Sequence, residues 1–404
     1  MSAWSTCEVA DSFAPTRVNR QHQIPAKDIA AEGAHPVIDQ GQSFISGYCD
    51  KADKLIDFDL PLIIFGDHTR CFKFVDFPFV LGADGTKVLS PRRDLYDPKF
   101  YYYALLSLNL PSRGYNRHFK LLKEQKIPLP PLPEQKQIAH ILTVTQRAIE
   151  AEERIIQTTT ELKQALMQKL FSEGLRGEPQ KETEIGLVPE SWEVVELVSI
   201  LREPLRNGHS AKAISDENGI RTLTLTAVTQ QDFSIENTKV TCADPQRVKE
   251  MWLKPGDIFI ERANTAEYVG LAALYEGVED FAIFPDLLIR IRVDNERMRP
   301  KVLIEWLLAE TCRRYYKKNA RSTAGNFPKI DQGTVEKTLI PVPSPEEQKE
   351  LEEAFRTLDN KLREHASHKS ALKSLFDTLL HQVMTAEIRV EGSTFPDHTI
   401  SIKP

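Results

Sequence analysis

Ile127-Pro-Leu-Pro-Pro-Leu-Pro-Glu-Gln-Lys136 is a proline-rich stretch that runs straight into a long helical pattern, and it returns as Ile340-Pro-Val-Pro-Ser-Pro-Glu-Glu-Gln-Lys349. A shift of 213 positions lays Ile127 on Ile340, Glu134 on Glu347 and Gln135 on Gln348. With no gap, the same shift lays Leu162 on Leu375 and Leu166 on Leu379. An offset that holds this long is an internal repeat, and a repeat decides the architecture before any single element does. The chain reads as a module, a long helix, a second module and a second long helix.

Working outward, Pro133 suits the first helical turn, where its missing N–H costs nothing. Ile141, Ala148, Ile155 and Leu162 recur every seven residues, as do Leu142, Ile149 and Ile156, and Gly174 and Gly177 end the pattern. A strict seven-residue repeat predicts a left-handed coiled coil. The second helix opens on Ser344-Pro-Glu-Glu347, a capping box. Its two series are Leu351, Leu358, His365, Leu372, Leu379 and Phe355, Leu362, Lys369, Phe376, Val383. His365 and Lys369 interrupt them near the middle, and Glu152 corresponds to His365 by the constant offset. Antiparallel packing about that midpoint brings Glu152 near His365 and Lys369, a polar layer of the kind that fixes register. The competing reading has Lys369 snorkelling to the surface and His365 half exposed. Helices of about forty residues are ~60 Å long at ~1.5 Å per residue, the length of roughly 17 base pairs.

Residues 1–126 form the first module and 127–177 the first helix. Residues 178–339 form the second module, with 178–190 as a polar linker; 340–390 are the second helix and 391–404 a tail. In the first module Leu60–Phe65 reads as a buried strand, Phe72–Val80 as an alternating strand, and Pro98–Leu110 as a helix. In the second, strands are expected at Thr222–Val228, Gly256–Ile260, Val269–Tyr275 and Leu287–Val293, and a helix from Val302 to about Lys318. No apolar run reaches the ~20 residues of a membrane span. Met1-Ser-Ala-Trp4 lacks signal-peptide character, and five scattered cysteines without C-x-x-C spacing suit a reducing compartment. The expectation is a cytoplasmic protein.

A net charge of −6 argues against a nucleic-acid partner on average. Its distribution argues otherwise. From Pro111 to Lys126 stand Arg113, Arg117, Lys120, Lys123 and Lys126 against Glu124 alone, and from Lys301 to Lys329 seven cations face Glu305 and Glu310. Phosphate binding needs local positive charge, not a basic average; the plain alternative is a solvated helix face. Catalytic motifs are missing: no phosphate-binding glycine loop, no G-x-G-x-x-G after a strand, no Asn-Pro-Pro-aromatic turn and no H-E-x-x-H. Pro285-Asp286 is followed by no Asp/Glu-x-Lys. The sequence describes a binding protein with no cofactor or metal of its own.

The twice-repeated I-P-x-P-x-x-x-E-Q-K signature is joined by Glu184-Ile-Gly-Leu-Val-Pro-Glu-Ser-Trp192. Mid-module stand Leu62-Ile-Ile-Phe-Gly-Asp-His-Thr69 and Pro255-Gly-Asp-Ile-Phe-Ile-Glu-Arg-Ala-Asn-Thr265. Together they resemble the DNA-specificity subunit of Type I restriction-modification enzymes. The resemblance implies an α+β fold: two globular α/β target-recognition domains joined by two long helices in an antiparallel coiled coil, with pseudo-twofold symmetry. It implies double-stranded DNA as target, each domain reading half of a bipartite asymmetric site. It also implies two modification (methyltransferase) subunits and restriction (translocase-nuclease) subunits as partners, which would hold S-adenosylmethionine, ATP and Mg²⁺. The first module starts at Trp4 without the longer Ile-Gly-x-x-Pro preamble, which leaves open how its N-terminus seats on the second helix.

Base reading needs directional donors and acceptors on loops above a rigid scaffold. The first-module candidates are Gln40, Gln42, Ser43, His68, Thr69, Arg70, Arg113, Asn116 and Arg117. Those of the second are Arg262, Asn264, Thr265, Arg321, Ser322, Asn326 and Lys329. Lys120, Arg313, Arg314, Lys317 and Lys318 are expected on phosphates, which position without specifying. Two other readings compete: a coiled-coil scaffold whose end modules bind proteins, and a nuclease of unrecognised type.

Overall fold

Each proline-rich stretch is a strand whose partner lies at the far end of its own module. Lys126–Leu129 pairs antiparallel with Ser5–Glu8, and Leu339–Val342 with Glu193–Glu196. The computed structural model describes residues 4–82, 85–111, 114, 116–216, 218–322 and 327–390. The chain divides into two units. One takes the residues up to Glu153 and from Ser367 onward; the other takes Arg154–Ala366. Each unit therefore holds one module and part of each long helix, Leu132–Glu173 and Pro345–Met384.

The Glu-Gln of the signature does the same two jobs in both units. Trp4 Nε1 donates to Glu134 Oε2 at 3.2 Å, and Trp192 Nε1 to Glu347 Oε2 at 2.7 Å. Gln135 accepts from the Asp97 amide at 2.8 Å and donates to the carbonyls of Leu95 and Pro130, both at 2.8 Å. Gln348 accepts from the Arg299 amide at 2.8 Å and donates to the carbonyls of Arg297 and Pro343 at 2.9 and 3.0 Å. The helices so tied, Pro98–Leu106 and Pro300–Leu308, are both nine residues long and lie 202 positions apart. Strand ends, long helix and module helix are thus locked by side chains the repeat preserves.

Each unit also builds the same four-stranded sheet. In the first the order is Phe13–Ala14, Thr86–Pro91, Leu62–Gly66, Phe72–Val75; in the second it is Arg206–Asn207, Leu288–Ile291, Ile258–Glu261, Ala272–Leu274. The central strands Leu62–Gly66 and Ile258–Glu261 are buried along their whole length, as continuous apolar runs require. In the first unit Ile63, Phe65, Tyr101, Tyr103 and Leu142 share a core with Phe376, Leu380 and Val383 of the second long helix. In the second, Ile258, Ile260, Trp306, Phe171 and Met167 share one with Leu351 and Phe355.

Within each unit the long-helix segments run antiparallel. Glu153 takes Lys369 at 3.0 Å in the first, and Glu134 takes Arg389, just past the end of the second helix, at 2.7 Å. In the second, Lys163 meets Asp359 at 2.6 Å, and Arg176, just past the end of the first helix, meets Glu350 at 2.8 Å. Glu152 lies 3.6 Å from His368, while His365 belongs to the second unit. Trp4 has a definite seat: the Arg389 guanidinium lies 5.0 Å over its ring.

Several sequence expectations need correction. Val302–Lys318 is two helices, Pro300–Leu308 and Glu310–Asn319, broken at Ala309, whose backbone is extended (φ −62°, ψ 149°). The polar linker contains a hairpin, Gln180–Thr183 with Gly186–Pro189. Phe72–Val80 splits into Phe72–Val75 and Phe79–Gly82 in different sheets, with Pro78 between them. Thr222–Val228 is a strand, Ile220–Leu223, followed by a helical turn, Thr226–Thr229. Half the capping box forms: Ser344 Oγ takes the Glu347 amide at 3.2 Å, but the Glu347 side chain goes to Trp192 and the Leu175 amide instead. The heptad seam is also broken, since Ile155 is 40% and Leu162 57% exposed. Module helices cover part of each long helix, so burial does not follow a single two-helix seam.

Candidate nucleic-acid interface

In the first unit the candidates gather where the central strand Leu62–Gly66 ends. The chain turns sharply there: Arg70 takes the left-handed conformation (φ 62°) and its amide returns to the Gly66 carbonyl at 2.7 Å. The Gln40 loop lies against this turn. Thr69 Oγ1 donates to the Gln40 carbonyl at 2.5 Å, and Gln40 Oε1 accepts from the His68 amide at 3.3 Å. A Cβ on Gly66 would stand 2.0 Å from Thr69 Oγ1 and 2.8 Å from the Gln40 carbonyl oxygen, so glycine is required for this approach. Gln42 Oε1 accepts from the Cys71 thiol at 3.2 Å, and the Ser43 carbonyl takes the buried Lys73 ammonium at 2.6 Å. Arg70 reaches the Leu110 carbonyl at 2.7 Å. From the other side, the His118 amide donates to the Asp67 carbonyl at 2.9 Å and the Phe119 amide to Asp67 Oδ1 at 2.7 Å. That docking sets exposed Asn116, Arg117 and Lys120 beside the turn. Arg113 lies outside the described residues.

The second unit builds the same edge from different side chains. Beyond the strand Ile258–Glu261, the Ile330 amide donates to the Arg262 carbonyl at 2.9 Å, as His118 does to Asp67. Lys329 exchanges backbone hydrogen bonds with Arg321 (2.8 and 3.0 Å) and bridges Ala263. Arg262, Arg321, Ser322 and Lys329 thus share one edge. Asn264 is tied down: its Nδ2 donates to Glu261 Oε2 at 2.6 Å and its Oδ1 accepts from the Thr265 amide at 2.7 Å. Thr265 is exposed at the loop tip. Arg313 buckles the loop from below, donating to the carbonyls of Val269 and Glu267 at 3.0 and 2.7 Å, so its guanidinium is engaged within the protein. Arg314 pairs with Glu310 at 2.8 Å, and Lys317 and Lys318 are exposed on the last turn of their helix. Asn326 lies outside the described residues.

Sequence reading passed over the groups under these loops. Glu261 is fully buried, and among the described residues its Oε1 has no hydrogen-bond partner. Burial pushes its carboxyl up to about 7, against the Asn264 hydrogen bond and the Arg313 charge, which pull it down. An acid with a raised folded value loses stability as pH climbs from its ordinary range to the raised one. Glu261→Gln keeps the acceptor for Asn264, so its unfolding midpoint should match the wild type near pH 4.5. By pH 8 its unfolding free energy should exceed that of the wild type, by up to ~3 kcal/mol at ~1.4 kcal/mol per pH unit. Parallel melting curves from pH 4.5 to 8 check this. The available signal was a lone Glu closing an apolar strand.

A family profile described as "Type I restriction modification DNA specificity domain" matches residues 4–161 and 189–373. The chain belongs to this family. It is 28% identical over 284 residues to the Type I restriction enzyme MjaVIII specificity subunit of Methanocaldococcus jannaschii, covering 68% of this chain and 65% of that protein. It is 26% identical over 335 residues to the putative MjaX specificity subunit of the same organism, covering 78% and 73%. The crystal structure of the S subunit of the Type-I restriction-modification system from M. genitalium superposes with a TM-score of 0.61 at 19% identity, covering 94% of this chain and 96% of that one; this likeness concerns the fold. No helix among the described residues is long and apolar enough to cross a membrane.

Proposed function

We propose that this chain is the DNA-reading subunit of a Type I restriction-modification complex and carries out no catalytic step itself. Each unit presents the edge beyond its central strand to one half of a bipartite, asymmetric site in double-stranded DNA. The observation that carries this reading is that one scaffold is built twice with different side chains at the edge: Gln40, Thr69 and Arg117 in one unit, Arg262, Arg321 and Lys329 in the other. Two frames with different letters suit two different half-sites read in one orientation. Reading by base edges falls to the loops, and exposed Lys120, Lys317 and Lys318 suit phosphates.

The long helices set the half-site spacing and dock two methyltransferase subunits, around which restriction subunits assemble; S-adenosylmethionine, ATP and Mg²⁺ belong to those partners. Support for a duplicated partner surface comes from Leu162 and Leu375, equivalent in the repeat and exposed by 57% and 48%. The complex with methyltransferase subunits is expected to protect two short tracts separated by a fixed gap. Arg117→Ala or Lys329→Ala should weaken binding and reduce the salt slope by about one unit if the lost contact is a phosphate. A turn's worth of residues inserted between Ala151 and Gln168 should shift the gap and leave the tracts unchanged. An unchanged gap overturns the ruler; DNA binding that ignores salt favours the scaffold reading.

A further inference from the structure

The second unit holds a layer of four charges, of which the first unit keeps only one at the equivalent positions. Lys163 lies 2.6 Å from Asp359 and 3.0 Å from Glu305, and Lys301 lies 2.5 Å from Glu305 and pairs with Asp359 as well. Glu305 is 1% exposed and Lys301 8%. Two ammonium groups and two carboxylates make the layer neutral. The long-helix shift of 213 carries Lys163 to Phe376 and Asp359 back to Gln146; the module-helix shift of 202 carries Lys301 back to Lys99 and Glu305 to Tyr103. At two of those four positions the first unit is aromatic. The Tyr103 and Phe376 rings lie 6.0 Å apart, the Tyr103 hydroxyl meets Thr143 Oγ1 at 3.1 Å, and Lys99 sits 3.9 Å from the centre of the Phe74 ring.

The two long helices derive from one repeat, so each could pair with its own kind from a second copy of the chain. Pairing two first helices would bring Lys163 into the place of Phe376, against Tyr103 and Lys99. Two lysines would then meet among aromatic rings, without the two carboxylates that hold Lys163 and Lys301 in the second unit. Pairing two second helices would bring Phe376 into the place of Lys163, leaving Glu305 and Asp359 with Lys301 alone. A buried charge without its partner is strongly unfavourable. We infer that the Lys163–Lys301–Glu305–Asp359 layer, set against the Lys99–Tyr103–Gln146–Phe376 cluster, is a pairing code that joins the first helix to the second and rejects association through like helices of another copy. Specificity is gained through the penalty on the wrong pair as much as through contacts in the right one. The inference is independent of DNA reading.

The test uses three full-length chains: wild type; a chain made aromatic in both units by K163F, E305Y and D359Q; and an exchanged chain that adds Y103E, Q146D and F376K to those three. Each is refolded from denaturant over a range of concentrations and measured by size-exclusion chromatography with light scattering. Melting curves on the same samples establish cooperative folding. The all-aromatic chain is expected to self-associate at concentrations at least tenfold lower than the wild type, and the exchanged chain to return to wild-type behaviour. The mirror chain, charged in both units by Y103E, Q146D and F376K alone, is expected to self-associate like the all-aromatic one and serves if the latter does not fold. Cooperatively folded single-type chains that associate no more than the wild type overturn the inference, as does an exchanged chain that associates as they do.

Discussion

Glu305→Ala is expected to lower the unfolding free energy of the second unit by ~3–5 kcal/mol, the usual cost of removing one partner from a buried ionic group. The substitution leaves Lys163 and Lys301 with Asp359 as their sole carboxylate within the layer. Burial alone would raise the Asp359 carboxyl, but Lys163 and Lys301 outweigh it and hold the group below its ordinary value. Burial likewise opposes the Lys301 charge, which Glu305 and Asp359 restore and push above the ordinary lysine value. A lowered acid and a raised base both favour the folded state between their ordinary values. Their contribution is therefore lost as pH falls through the lowered Asp359 value or rises through the raised Lys301 value. Denaturant titration at pH 7, followed by tryptophan fluorescence, checks the size of the effect. The fourfold replacement K163F/K301M/E305Y/D359Q, which removes every charge of the layer, should cost much less than Glu305→Ala alone, because well-packed uncharged groups can replace a buried ionic cluster almost neutrally. Equal losses in the two chains would mean that the layer acts through shape and not through charge.

That layer also marks where the sequence stopped being legible. The repeat announced both long helices and both modules, because a 213-position offset can be read letter by letter. The roles of Glu134 and Gln135 could not be read that way: Trp4 lies 130 positions from Glu134, and only folding brings them together. Lys163 and Glu305 are 142 positions apart for the same reason. Heptad reasoning placed the polar layer by what interrupts an apolar series, which drew attention to His365 and Lys369. It could not see that module helices carry charge onto the long helices. The break at Ala309 has no proline or glycine to announce it, whereas the hairpin within 178–190 was hidden by its polar composition. At the candidate interface, residue type found the loops, and the structure assigned jobs within them. Arg262, Arg321 and Lys329 share an edge, while Asn264 and Arg313 spend their hydrogen bonds holding the loop in place.

Gln348→Ala is the second large expected loss, ~2–4 kcal/mol in the second unit. Gln348 is 2% exposed, and its amide satisfies three backbone groups: the Arg299 N–H and the carbonyls of Arg297 and Pro343. Each net hydrogen bond contributes ~1 kcal/mol, but a buried group left without a partner costs ~1–3 kcal/mol. Alanine strands all three at once, at the start of the helix Pro300–Leu308 and of the long helix it packs on. Gln135→Ala should do the same to the first unit through Asp97, Leu95 and Pro130. Glutamate is the discriminating replacement: Gln348→Glu keeps the acceptor for the Arg299 amide but sets a carboxylate against two carbonyl oxygens. It should therefore destabilise at least as much as alanine at pH 7 and recover part of the loss below pH 5, where a protonated carboxyl can donate again. If Gln348→Glu is as stable as the wild type at neutral pH, the two carbonyls are not held by this side chain. The recurrence of Glu-Gln at both helix starts would then need another cause than the joint it makes here.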